Sequence, residues 1–297
     1  MHGWQGKILK IDLSTHTYRV EKPDPQIYEQ YIGGKGLGGH FLKDRITCSW
    51  NDPQMPLLFF AGPLVGTTAP TSGRMTVMSR SPLTGTVGDA SVGGQFGSEL
   101  KKAGWDGIII TGKSNALCGI EITDGNVAFA DASNLKNRPI SEIHRQIKIK
   151  GATATVGPAA ENGVYFAAVI FDGHYAAGRN GLGLVFAGKN LKFVTIKGSG
   201  KVAVFSRKEL KAAREDILRL AAASPVLMGP LGITNYGTAA LYDLTSSRRM
   251  MPTANFRRTY FEAAHQTNAH SYHMAYQPSK TGCWGCHILC KKKSGPH

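Results

Sequence analysis

Three cysteine residues near the end of the sequence have a spacing that is typical of metal-binding sites. Cys283, Cys286 and Cys290 follow the pattern C-x2-C-x3-C within the stretch GCWGCHILCKKK. Thiolates at this spacing can surround one corner of an iron–sulfur cubane, and an all-cysteine [4Fe–4S] cluster then needs a fourth thiolate. The other two cysteines of the sequence are Cys48 and Cys118, which lie far from this stretch in a predicted loop and a predicted strand.

Two alternatives to a cluster stay open. His287 would complete a zinc site of the Cys3His type, but it directly follows Cys286, and adjacent ligands on one metal are awkward. The other alternative is that the thiols bind nothing. An odd number of cysteines, with three of them crowded together, argues against a disulfide framework and for thiols in a reducing compartment. We therefore predict a cytoplasmic protein.

Two glycines and two arginines predict a second site, which would bind an anion. Gly93 and Gly94 open the helical run QFGSELKKAG, whose first amide groups have no partner within the helix. Arg74 and Arg179 each end a glycine-rich loop, where a guanidinium can offer paired donors to phosphate or to cluster sulfur. An anionic cofactor between two loops would account for both arginines. The alternatives are an ordinary glycine turn and structural salt bridges.

The stretch GGKGLGG also resembles a dinucleotide-binding motif. Gly34, Gly36 and Gly39 have the G-x-G-x-x-G spacing, but that motif requires a preceding strand. The preceding residues 25–32 are predicted to be helical instead. Close packing of the backbone is therefore the favoured interpretation of these glycines.

The charge balance indicates an acidic partner of some kind. The 297 residues include 35 Lys and Arg against 20 Asp and Glu, which gives a net charge of +15. The basic residues are scattered, so we expect them to lie mostly on solvated surface, and we predict no nucleic-acid binding. The sequence begins with a predicted strand instead of an export signal, and no apolar run reaches the length of a membrane span, so we expect no membrane association.

The order of the predicted elements indicates an α+β fold with mixed β-sheets. Apolar and polar residues alternate in 4–20, which predicts a β-hairpin. Further strands are predicted at 56–61, 74–79, 107–111, 119–123 and 127–129, and also on either side of the loop GPAAENG. Helices are predicted at 25–32, 95–104 and about 140–148. A capping box from Ser206 to Glu209 opens another helix, so we expect domains at 1–204 and 205–297. Residues 62–74 and 157–179 share the order strand, Gly-Pro, polar loop, Gly-Arg, strand, which predicts a duplicated half-domain.

Taken together, these stretches resemble the aldehyde ferredoxin oxidoreductase family of tungsten-pterin enzymes. The similarity covers nearly the whole chain in order, through GWQGKILKIDLST, YIGGKGLGG, AGPLVGTTAPTSGR, SPLTG, GGQFGSELKKAGWDGIIITGK, GPAAENGVYFAAVIFDGHYAAGRNGLG, GKNLKFVTIKG and CWGCHILC.

The resemblance implies a base of two β-sheets that carries a bis-pterin cofactor with tungsten or molybdenum. It implies that Gly93 and Gly94 hold pterin phosphate, and that Arg74 stands between the pterin and a [4Fe–4S] cluster. It also implies that the backbone of Ser91 and Ala176 faces a magnesium ion joining the two pterin phosphates.

The activity implied by the resemblance is oxidation of a small aldehyde to a carboxylic acid. Electrons would leave through the pterin and the cluster to ferredoxin or another iron–sulfur carrier. In the family the fourth cluster cysteine lies downstream in a chain about twice as long, so we expect a separate C-terminal half or second subunit as partner. The alternatives are a non-catalytic remnant or cofactor-binding module and, less favoured because a second cysteine pair is missing, a zinc nucleic-acid module.

Overall fold

A computed structural model describes residues 1–147 and 151–294 of the chain. The chain forms two compact units, Met1–Arg207 and Lys208–His297. The first unit contains two six-stranded β-sheets with flanking helices, and the second is built mainly from short helices.

The first sheet is mixed and has the strand order β2-β1-β6-β3-β4-β5. The hairpin β1–β2 forms where alternation in the sequence predicts it, and β1 pairs with β6 in parallel, whereas the remaining neighbours are antiparallel. The strands are β1 (Ile8–Asp12), β2 (Thr17–Glu21), β3 (Leu57–Ala61), β4 (Met75–Arg80), β5 (Val87–Val92) and β6 (Gly107–Thr111).

The second sheet has the order β11-β10-β9-β12-β7-β8 and is also mixed. Its parallel pair is β7 and β12, and its edge hairpin is β7–β8. The strands are β7 (Cys118–Thr123), β8 (Asn126–Asp131), β9 (Ala152–Thr155), β10 (Val169–Phe171), β11 (Tyr175–Ala177) and β12 (Leu191–Lys197). The α+β fold with two mixed sheets is thus confirmed.

The two sheets share one topology, which bears out the predicted duplication. When β7 to β12 are matched to β1 to β6, the strand order, the edge hairpin and the parallel pair of first and last strands all recur. The predicted correspondence of the two arginines is wrong, however. Arg74 directly precedes β4, whereas Arg179 follows β11, which is the counterpart of β5, and leads into a helix instead of a strand.

Seven helical segments accompany the sheets in the described part of the first unit. Asp24 caps the first of them, because its carboxylate accepts a hydrogen bond from the amide of Gln26 at 2.8 Å. The segments are α1 (Pro25–Tyr31), α2 (Lys35–Leu42), α3 (Phe96–Lys102), the 3₁₀ turn Ser133–Leu135, α4 (Ile140–Gln146), α5 (Pro158–Glu161) and α6 (Leu182–Gly188). The predicted helix at about 140–148 is present, although residue 148 lies outside the described residues.

The main hydrophobic core lies between the two sheets. Phe59 of β3, Phe96 of α3 and Phe171 of β10 are fully buried there, and their ring centroids lie 5.3–6.2 Å apart. Burying an aromatic side chain of this kind contributes roughly 1.5–3 kcal/mol. These rings hold the start of α3 against the end of β10, and both segments lead into the candidate site.

The second unit begins at the second residue of the long amphipathic helix α7 (Arg207–Ala222), which starts directly after Ser206. Short elements follow: α8 (Pro225–Met228), α9 (Ile233–Tyr236), the 3₁₀ turn Gly237–Leu241, α10 (Tyr242–Ser247), α11 (Ala264–Thr267), α12 (Ala269–Tyr276), β13 (Ser279–Thr281) and β14 (Lys291–Lys293). Among the described residues, no single helix is both long and apolar enough to cross a membrane. The helical segments 207–222 and 225–247 are long and apolar enough for a membrane span only when they are counted together, and they are bent by 77° relative to each other.

Candidate functional site

The residues predicted to bind an anionic cofactor cluster where the edge strands of the two sheets meet. β5 ends the first sheet, β11 ends the second, and the two strands are in contact. Asn180, just after β11, donates its side-chain amide to the carbonyl oxygen of Asp89 in β5 at 2.7 Å. Ser91 and Ala176 occupy the same place, last but one, in their respective strands. The duplication therefore presents two equivalent backbone positions in two strands that are in contact.

Arg74 is fixed against one of these positions. Its Nε donates to the hydroxyl of Ser91 at 3.0 Å, and its Nη2 donates to the backbone carbonyl of Ser91 at 2.6 Å. Both residues remain exposed. The carbonyl that the resemblance assigns to magnesium thus already uses one of its two lone pairs on Arg74. The remaining donors of the guanidinium can face an anion above the strand edge.

Arg179 differs from Arg74 in having an unengaged guanidinium. It lies in the turn between β11 and α6 and is exposed. In residues 1–147 and 151–294, no side-chain hydrogen bond or ion pair involves Arg179. An exposed guanidinium whose donors are all open is suited to a phosphate or carboxylate ligand.

The start of α3 is already occupied by a carboxylate of the same chain. Asp172, in the turn between β10 and β11, accepts hydrogen bonds from the amide of Gln95 at 2.6 Å and from the amide of Thr153 at 3.0 Å. Gly94 has a φ of +100°, and a Cβ added there would lie 2.5 Å from Asp172 Oδ2. The amide of Gln95 is therefore not available to a phosphate. The roles predicted for Gly93 and Gly94 stay predictions.

Burial raises the pKa of the Asp172 carboxyl, and its two amide hydrogen bonds together with the nearby His144 and His174 oppose that rise. Sequence reasoning missed this residue. Asp172 and Gln95 are 77 positions apart, so no local pattern links them. The Asp-Gly pair in FDGHY indicates only a turn.

Gly36 and Gly38 in GGKGLGG pack closely, as predicted, whereas the prediction is wrong for Gly39, because a Cβ added there would meet no atom within 4 Å. These glycines are preceded by α1 instead of a strand. A Cβ on Gly36 would overlap the carbonyl oxygen of Tyr31, and a Cβ on Gly38 would overlap the sulfur of Met78. The segment forms α2 under these constraints. The strand that a dinucleotide motif requires is therefore absent at this place.

The three predicted metal ligands lie in the loop between β13 and β14. Cys283 and Cys286 are half-buried, and Cys290 is exposed. The backbone amide of Cys286 donates a hydrogen bond to the backbone carbonyl of Cys283 at 3.1 Å. In the part of the chain that the structure describes, no three His, Cys, Asp or Glu side chains are arranged to hold one metal ion. The ligand geometry is thus not assembled there.

The chemistry of this loop nevertheless fits a metal cluster. Both ring nitrogens of His287 are buried without a hydrogen-bond partner among the described residues. Burial lowers the pKa of the neighbouring Lys292, as does Lys280 to a smaller degree, whereas Cys290 opposes this. Cys283, Cys286 and Cys290 are free thiols, which is the ligand type that holds iron–sulfur clusters.

Comparisons with known proteins identify the family of this chain. The family model of the aldehyde ferredoxin oxidoreductase N-terminal domain matches residues 8–198, and that of domains 2 and 3 matches residues 212–296. The tungsten-containing aldehyde ferredoxin oxidoreductases of Pyrococcus horikoshii and Pyrococcus furiosus are 38% and 35% identical over 98% of this chain. The chain spans 49% of the length of each of these relatives.

More distant relatives are also matched over about half of their own length. The WOR-like subunit of an aliphatic sulfonate oxidoreductase from Pyrococcus furiosus is 28% identical over 99% of the chain and 50% of its own length. The solved active-site complex BamBC of benzoyl coenzyme A reductase with 1,5-dienoyl-CoA superimposes with a TM-score of 0.85 at 26% identity. The superposition covers 100% of this chain and 48% of the solved chain. The chain belongs to the aldehyde ferredoxin oxidoreductase family.

Proposed function

We propose that this chain is the cofactor-binding N-terminal part of a tungsten or molybdenum oxidoreductase that converts an aldehyde to a carboxylic acid. The observation that supports this proposal is the contact between β5 and β11. Ser91, which Arg74 contacts, lies in β5, Ala176 lies in β11, and the unengaged Arg179 follows β11. Residues 1–204 would hold the pterin, and residues 205–297 would begin the helical part that carries the cluster cysteines.

The proposed work of this chain is binding and orientation. Arg74 would stand between the pterin and the cluster, and Arg179 would donate hydrogen bonds to a pterin phosphate. The backbone at Gly93 and Gly94 would hold pterin phosphate as well. The carbonyls of Ser91 and Ala176 would face a magnesium ion, because oxygen donors suit that ion. When bound, the metal-pterin group would supply the two-electron redox chemistry.

Cys283, Cys286 and Cys290 would supply three thiolates to a [4Fe–4S] cluster. A carrier such as ferredoxin would accept the electrons, and the net charge of +15 would favour an acidic carrier. A second polypeptide, or a longer form of the chain, would supply the fourth ligand and the rest of the aldehyde pocket. The free cysteines favour the cytoplasm.

The test is the metal and pterin content of protein purified without oxygen, alone and co-expressed with a polypeptide matching the second half of the relatives. We expect tungsten or molybdenum, pterin and about four iron atoms per chain in the co-expressed protein. Arg179→Gln should lower pterin and leave iron unchanged, Cys283→Ser should lower iron, and the control Arg145→Gln should lower neither. Protein that retains neither pterin nor iron in both preparations would contradict a catalytic role and favour the remnant.

A further inference from the structure

A cavity of about 480 Å³ opens on the outer face of the first sheet, at the edge opposite the candidate site. Its walls come from β1, β2, β6, the end of α2 and the segment that follows α2. Four strand spacings separate β1 from β5 in the sheet order, which corresponds to about 19 Å. The cavity is therefore separate from the region proposed to hold the pterin. Its volume lies within the range of small-molecule sites.

The charged groups of this cavity favour an anion. Lys10, Arg19 and Arg45 line it together with the single acid Asp12. Lys10 is already neutralised by an ion pair with Glu21. In the described ranges 1–147 and 151–294, no side-chain hydrogen bond or ion pair engages Arg19 or Arg45. Two guanidinium groups therefore line the same cavity without an ion-pair partner among the described residues.

The inner part of the cavity is apolar. The ring of Phe41, Pro56 and the nearly buried Ile109 contribute to its lining. The Phe41 ring is itself fixed, because it stacks on Phe60 with centroids 5.6 Å apart and lies 5.7 Å from the ammonium of Lys10. A ligand that carried only charge would leave this surface in contact with water. A ligand with a flat hydrocarbon part would cover it.

We propose that this cavity binds a small organic anion, whose phosphate or carboxylate is held by Arg19 and Arg45 and whose apolar part rests on Phe41 and Ile109. Paired guanidinium donors match the oxygen geometry of both anionic groups. The proposal does not depend on the redox function, since it uses strands at the other end of the sheet.

Isothermal titration of the full chain with phenyl phosphate, benzoate and inorganic phosphate tests this proposal. We expect saturable binding of phenyl phosphate or benzoate at one site per chain, and weaker binding of inorganic phosphate because it cannot cover the apolar lining. Each of Arg19→Gln and Arg45→Gln should weaken binding by about tenfold. Both side chains are exposed, so the variants should keep the fold, which circular dichroism checks.

Two control variants establish whether the bound anion occupies this cavity. Arg145→Gln removes an exposed arginine elsewhere and should leave the affinity unchanged. Arg74→Gln should also leave it unchanged, whereas a loss in this variant would assign the binding to the cofactor region and overturn the proposal. Heats that do not saturate, or that are identical in Arg19→Gln and the unaltered chain, would likewise overturn it. Failure here leaves the pterin and iron measurements unaffected.

Discussion

Burial of the Lys189 ammonium should make the free energy of unfolding depend on pH. Its side chain is only 3% exposed, and its ammonium donates to the carbonyl oxygens of Pro53 at 3.1 Å and Gly112 at 3.2 Å. Burial lowers its pKa from the ordinary 10.5 to about 8, although the charges of Asp52 and Asp12 work in the other direction. The carbonyls solvate the ammonium less well than water does.

This pKa sets a pH dependence of defined sign and size. Between pH 8 and 10.5 the unfolded chain holds the Lys189 proton while the folded chain has lost it, so the free energy of unfolding rises with pH. A fall in pKa from 10.5 to about 8, at 1.36 kcal/mol per pKa unit, corresponds to about 3 kcal/mol. Below pH 8 the folded state bears this whole cost.

The change to make is Lys189→Met, which keeps the length of the side chain and removes the titrating group. Urea unfolding followed by tryptophan fluorescence, at several pH values from 7 to 10.5, gives the free energy of unfolding of both proteins. The unaltered chain should gain about 3 kcal/mol relative to the variant across this range. Lys113→Met, at an exposed lysine, should follow the unaltered chain. Parallel curves for Lys189→Met and the unaltered chain would refute the argument.

Three further substitutions test the packing of the first unit by urea unfolding. Asp172→Ala removes the acceptor of two amide hydrogen bonds and should cost about 2–4 kcal/mol; an unchanged midpoint would show that water replaces the carboxylate. Gly36→Ala should destabilise strongly because its Cβ would overlap the last carbonyl of α1, whereas Gly39→Ala, with nothing within 4 Å, should gain about 0.5–1 kcal/mol; equal effects would contradict close packing. Glu161→Gln should cost about 3–5 kcal/mol, because it removes the counter-charge that lies 2.7 Å from the fully buried Lys192. Adding Lys192→Met should restore much of the loss; no restoration would contradict a charge effect.

Local patterns were sufficient to predict most of the strands but not all of them. The run GIIIT and the alternation in KILKIDL are apolar enough to predict β6 and β1. In contrast, β5 alternates between buried and exposed positions with small and polar residues, such as Gly88, Asp89 and Ser91. Its inward positions are Gly88, Ala90 and Val92, whose small side chains give a weak hydrophobic signal. The strand is specified by pairing with β4, which a single segment does not reveal.

The candidate site was predicted in part for the same reason. Arg74 could be singled out by the glycine-rich loop that precedes it, and Ser91 only by the resemblance to the family. The contact of Asp172 with the start of α3 depends instead on how the two sheets meet. The prediction that the basic residues lie mostly on solvated surface is wrong for Lys101. That side chain is fully buried and paired with Asp106, and burial lowers its pKa while Asp106 opposes the change.

The repeated sheet topology has a consequence for the ancestry of the site. Two copies of a six-stranded protein that met through equivalent edge strands would form a twofold dimer, in which each copy offers the same backbone position to a ligand on the axis. Fusion into one chain frees the halves to diverge. Gly94 now meets the carboxylate of Asp172, whereas its counterpart, Arg179, carries an unengaged positive charge. The two halves of an originally symmetric ligand would thus meet different groups.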